Sequence, residues 1–186
     1  MSEATKFFDG IMGEAFSELH TCLLGKIQSF DGQKMTADVV PLAKRKLADG
    51  RMEAMPLISQ APVMFMYANG FFIRPPLKPG DLVVVVFAER ELDAVLLSGT
   101  PQAPSSNRHH GLEDAIVLGG WLPFAGSLPV SGADDLVIGH KDGKVTITIT
   151  PEGTVDIAAP KGITLKADDS SGTGVSIVGK DKSESW

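Results

Sequence analysis

The end of the chain alternates. From Lys144 onward, VTITI, TVDIAA, ITLKA and VSIV are four short runs in which apolar residues take every second position. TPEG, PKG and DDSSGTG separate them. A repeat of two is the period of a strand with one dry and one wet face. The dry face would hold Val145, Ile147 and Ile149, then Val155, Ile157 and Ala159, then Ile163, Leu165 and Ala167, then Val175 and Ile177. Four such strands have no helix beside them and cannot cover that face themselves. So small a meander is marginal alone in water. The stripe needs a partner, and another copy of the same chain is the most economical one.

Upstream, the pattern is that of a small all-β unit. Residues 22–99 contain CLLGKIQSF, KMTADVVPLA, MEAMPLI with APVMFMYA, FFIRPP, and the pair DLVVVVFAER/LDAVLLSG. Asp31-Gly32, Asp49-Gly50, Asn69-Gly70 and Pro79-Gly80 punctuate these runs as turns. Five or six strands in so short a stretch predict a small barrel of the OB type. Val83 to Phe87 is apolar at every position, as expected of a strand inside the barrel or covered on its outside. Before the barrel, Phe7, Phe8, Ile11, Met12, Phe16 and Leu19 recur at helical spacing over residues 2–19, with Ser2 or Thr5 as cap. That helix either packs on its own domain or docks on a neighbouring protein.

The expected organisation is an N-terminal helix over 1–20 and an OB-like barrel over 21–100. A linker with a short ordered segment follows over 101–134, then a β-helical spike over 135–186. The fold class is all-β.

Composition excludes several functions. A formal charge of −6 speaks against a phosphate-binding surface. The aromatic and basic residues Phe71, Phe72, Arg74 and Lys44 to Lys46 are too few to make a nucleic-acid groove. Cys22 is the single cysteine, which excludes an intramolecular disulfide, and it is expected to be a buried thiol. The longest apolar stretch, Leu82 to Ala88, is far below the ~20 residues of a spanning helix. With no signal-peptide pattern at the start, synthesis in the cytoplasm is expected.

The nearest approach to a catalytic cluster is His109 and His110, with Glu113, Asp114 and the more distant His140. Adjacent histidines point apart on any regular backbone, so they make a poor metal pair. G-x-S-x-G, P-loop, H-E-x-x-H and CxxC patterns do not occur. No catalytic, cofactor-binding or metal-binding residue is expected, and the chain is not expected to be an enzyme.

LKPGDLVVVVFAERELDAVLLSG and the later RHHGLEDAIVLGG carry a family pattern. A Gly-Asp opens an apolar strand, an acid/arginine corner and an Asp follow, and after a linker comes Arg-x-His before an acidic Leu-x-Asp-Ala turn. The matching residues are Gly80, Asp81, Phe87, Arg90 and Asp93, then Arg108, His110, Leu112, Asp114 and Ala115. Over residues 20–120 this resembles the N-terminal domain of phage contractile-tail baseplate spike proteins. The tail resembles that family in architecture alone.

The resemblance implies a homotrimer in the virion tail baseplate, with an OB collar and an intertwined β-helix or β-prism that pierces the host envelope on sheath contraction. Its trimer core would be Val145, Ile147, Ile149, Val155, Ile157, Ile163, Leu165, Val175 and Ile177. Partners would be the tail tube or hub, other baseplate proteins and, transiently, the host envelope. Needles of this kind often end in a His-x-His pair that binds iron, whereas no histidine follows His140 here. The expectation is a short spike without an apex ion, with a separate tip protein a possible partner. A hub-adaptor joining tube to tip is the main alternative, and a small cell-wall-degrading or metal-dependent enzyme the distant one.

Overall fold

A computed structural model describes residues 2–17, 19–47, 49–130 and 132–165. The chain forms two compact units, Met1–Pro123 and Phe124–Trp186.

The first unit opens with helix α1, Glu3–Ser17, where the Thr5 amide donates to Ser2 Oγ at 3.2 Å, as an N-cap should. Strands β1 (Cys22–Asp31) and β2 (Thr36–Pro41) form a hairpin. Asp31 Oδ1 accepts the Gln33 and Lys34 amides in its turn, and these bonds hold the carboxyl below its ordinary range. A small hairpin of β3 (Lys44–Lys46) and β4 (Met52–Ala54) follows, then β5 (Ile58–Pro62).

Next come β6 (Met66–Ala68) and β7 (Phe71–Ile73), joined by Asn69 and Gly70 at φ 49° and 83°. Two positive φ values are what a two-residue type I′ turn requires. Strand β8 (Leu82–Phe87) follows, then helix α2 (Asp93–Ser98) and β9 (Ala115–Gly120).

Five strands make one antiparallel sheet in the order β5-β2-β1-β8-β9. Register shifts interrupt β1/β2, β2/β5 and β8/β9. Such bulges bend strands, and here the sheet curls into a half-barrel. Its edges approach one another: Val63, just past β5, bridges Val117 of β9 in the parallel sense, and the Met64 amide donates to Val117 O at 2.8 Å.

The concave side carries the core: Ile27, Val39, Ile58, Val83, Val85, Phe87 and Val117, with Ala37, Ala61 and Ala115 filling the narrow places. In β8, Val83, Val85 and Phe87 face this core, while Leu82, Val84 and Val86 are half-buried on the other side. The uniform apolarity of that strand thus reflects a place between β1 and β9. At Gly25 a Cβ would run into Val39 Cγ1, so β1 can lie this close to β2 only with glycine there.

The structure corrects three sequence readings in this unit. LDAVLLSG was expected as a strand, but Asp93–Ser98 is a helix, closed by Gly99 at φ 64° with its amide on Val95 O. A six-residue apolar run fits either period, and the left-handed glycine decided for the helix. Cys22 is exposed rather than buried, because it shares the outward face of β1 while Gly25 and Ile27 point inward. The fifth sheet strand, β9, comes from the segment read as a short ordered stretch after the barrel.

The second unit contains β10 (Leu136–Gly139), β11 (Thr146–Ile149) and β12 (Val155–Ala158), an antiparallel meander in that order. Gly143 at φ 71° and Gly153 at φ 91° reverse the chain between them. Within the described residues this single-chain meander stands where an intertwined β-helix was expected. The two glycine turns fold each strand back onto its own sequence neighbour. Ile163 and Leu165 were expected in a third strand of the tail but lie in non-strand backbone. The run containing Val175 and Ile177 lies outside the described residues.

Candidate assembly surface

The meander puts apolar residues side by side across strands. Leu136 pairs with Ile149, and Ile138 with Ile147. Ile147 in turn pairs with Ile157, and Ile149 with Val155. Directly paired residues in an antiparallel sheet point to the same face. Leu136, Ile138, Ile147, Ile149, Val155 and Ile157 therefore form one continuous apolar face, and each is between 38% and 60% exposed. The other face carries Val137, Thr146, Thr148, Asp156 and Ala158. Six such side chains leave bare about 500 Å², at the upper end of what a monomer normally shows.

Four residues expected in the trimer core thus meet on this surface: Ile147, Ile149, Val155 and Ile157. Val145 lies just before β11, with its carbonyl accepting the His140 amide at 2.9 Å, and its side chain is exposed. Ile163 and Leu165 are also exposed and join no strand. Leu136 and Ile138 were not singled out from sequence. Their signal is the alternation in LVIG, followed by the Asp142-Gly143 turn, which reads as one arm of a hairpin with TITI.

The motif residues of the first unit assemble into a structural clasp. Lys78, Pro79, Gly80 and Asp81 make a tight turn into β8: the Asp81 amide donates to Lys78 O, and Asp81 Oδ2 accepts the Lys78 amide at 2.7 Å. Gly80 sits at φ 98°, the conformation a type II turn needs after proline. At the far end of β8, the Phe87 ring is buried and packs 5.4 Å from the His20 ring.

Beyond it lies Asp114, completely buried in the 3₁₀ turn Leu112–Asp114. Arg108 reaches it with two bonds, Nε to Oδ2 at 2.7 Å and Nη2 to Oδ1 at 2.8 Å. The Leu92 amide also donates to Oδ1, at 3.1 Å, and Arg108 makes a second ion pair with Asp93 at 3.2 Å. This fork geometry is the strong form of an arginine–carboxylate pair. Arg108 holds the Asp114 carboxyl below its ordinary range, with the Leu92 amide adding to the effect against the cost of burial.

The remaining motif residues lie around this pair. Arg90 donates to His109 Nε2 at 2.6 Å. His110 has left-handed backbone, φ 48°, and its buried Nδ1 has no hydrogen-bond partner among the described residues. Leu112 packs on the core. The clasp ties the start of α2 to the entry of β9, and Ala88 adds a bond from its amide to Asp114 O at 2.9 Å. Sequence resemblance named these residues without showing that Arg108, Asp93 and Asp114 converge.

His109 and His110 take different surroundings, and His140 pairs with Asp142 at 2.9 Å. Among the described residues no group of three or more histidine, cysteine or acidic side chains could hold a metal ion. No helix among them is long and apolar enough to cross a membrane.

Residues 23–120 match the family described as phage protein Gp138 N-terminal domain. The match is more than half of the chain, and it takes in the curled sheet and the clasp. No curated protein matches the chain.

Proposed function

Since this chain belongs to the family of phage proteins with the Gp138 N-terminal domain, we propose that it is a trimeric spike at the centre of a tail baseplate. In this reading the first unit is an OB-type collar. Support comes from the strand order, with β1 between β2 and β8 and with parallel contact between the two sheet edges. That is the connectivity of a five-stranded, partly open Greek-key barrel.

The observation that carries the proposal is the six-residue apolar face of the meander, which the described residues leave uncovered. Three copies turned toward one axis would close these faces into a β-prism with a dry interior, and the cyclic symmetry repeats one contact three times. Closure would also protect the sheet edges. The role is mechanical and non-catalytic: inter-chain packing stiffens a rod that sheath contraction drives into the host envelope.

A hub-adaptor is the second reading, favoured by α1. Phe7, Phe8, Ile11, Met12 and Phe16 are all exposed, so the helix offers its apolar side to a neighbouring protein such as the tail tube. Both readings place the protein in the virion, and they differ in what the second unit does. An epitope tag after Trp186 tests this by electron microscopy of antibody-labelled particles. The spike reading expects label at the distal tip of intact tails. Label that appears only on disrupted particles supports the adaptor and overturns the spike.

A further inference from the structure

The β6–β7 hairpin is apolar on both faces. Met66 and Ala68 pair with Ile73 and Phe71 on one side, while Tyr67 pairs with Phe72 on the other. From Met64 to Ile73 the sequence MFMYANGFFI contains no charged residue. Met64, Met66, Tyr67, Phe71, Phe72 and Ile73 are between 52% and 78% exposed.

The hairpin is nevertheless fixed at its root. Its first leg leaves the barrel through the Met64 amide bond to Val117 O, and at its second leg Arg74 Nη1 donates to Gly32 O at 2.7 Å. A ribbon anchored at both legs and apolar on both sides is built to be slotted between surfaces.

Those six side chains expose about 800 Å², more than the largest patch of a typical monomer and about one partner's share of a standard interface. The chemistry narrows the occupant. Nucleic acid needs cations beside the aromatics, and the one adjacent cation, Arg74, is engaged with Gly32. An anionic membrane surface favours a basic flank, which a stretch without charge does not supply. An apolar protein groove remains, and the same unit offers one. His20, Leu23, Ala54, Met55, Pro56 and Leu112 line an open groove of about 310 Å³, with the Arg45–Glu53 ion pair at its side.

We infer that the Met64–Ile73 hairpin of one copy inserts into the His20/Leu23/Met55/Leu112 groove of the next copy. Hairpin and groove are different surfaces, so the contact is heterologous, and a heterologous contact closes into a ring when its rotation permits. A ring of three would lock the collars together independently of the tail. The inference rests on the trimeric reading above and adds a second, separate contact to it.

Site-directed cross-linking of the full chain tests it. In a Cys22→Ser background, Phe71→Cys and Met55→Cys are combined, treated with a short bis-maleimide and run on a denaturing gel, with light scattering on the untreated sample. Covalent three-chain species from the double variant, and none from either single variant, are expected. Covalent dimers from Phe71→Cys alone would mean that hairpins meet each other, and would overturn the inference. A sample of three-chain mass without cross-links overturns the hairpin–groove pairing and leaves the tail reading standing. A single-chain mass overturns both.

Discussion

Replacing Arg108 by alanine leaves a carboxylate stranded. Asp114 is fully buried, and its oxygens would keep only the Leu92 amide at 3.1 Å. Removing one partner of a buried pair costs about 3–5 kcal/mol. Arg108 is itself 29% exposed, so water can enter the vacated space and the lower figure applies, about 3 kcal/mol. For a unit of this size that is a fall in unfolding midpoint of about 10 °C.

The pH dependence identifies the cause. In the parent protein the Asp114 carboxyl is held below its unfolded value. Its stabilisation is therefore complete above the ordinary aspartate range and is lost as pH falls through the lower folded value. In Arg108→Ala the burial term is no longer offset by the guanidinium, so the folded value rises and protonation stabilises the variant. The gap between the two proteins should narrow from pH 7 toward pH 4. Thermal unfolding followed by circular dichroism, at one fixed protomer concentration, reads both quantities. A midpoint change below about 2 °C at neutral pH, or a gap that widens on acidification, would refute the reasoning.

Other outcomes follow from the same geometry. Ile147→Asp places a carboxylate where Ile138 and Ile157 flank it; it loses about 2 kcal/mol of apolar burial per chain and puts three like charges around one axis. Assembly should be lost while the barrel keeps its near-ultraviolet spectrum, and persistence of the trimer by sedimentation would exclude this face as the contact. Gly25→Ala drives a methyl into Val39 at the centre of the core. Overpacking of this kind costs about 1–3 kcal/mol, seen as a lower urea midpoint, and an unchanged midpoint would contradict the close approach of β1 and β2.

Much of the first unit was legible because its signals are local. Asn69-Gly70 dictates its own turn, the Gly80 turn follows from proline before glycine, and the alternation of β1 and β2 fixes their inward faces. The errors came where the decisive partner is distant in sequence or where two periods compete. Strand β9 belongs to the sheet through its pairing with β8, a contact that no local pattern reveals. DAVLLS fits strand and helix alike until Gly99 closes the helix. The clasp depends on Asp114, Arg108 and Asp93 converging through the fold, so spacing alone could name its members but not their geometry. In the tail, β11 and β12 were read correctly as alternating strands. Leu136 and Ile138 were passed over because LVIG is only four residues long, and Ile163 and Leu165 alternate without forming a strand in the described chain.

The central claim is that the apolar face of the meander is covered by two further copies of the same chain. Multi-angle light scattering on the purified protein measures this directly. The account predicts a single species at three times the 19.7 kDa chain mass, unchanged on dilution through the micromolar range. A clean species at one chain mass would contradict it.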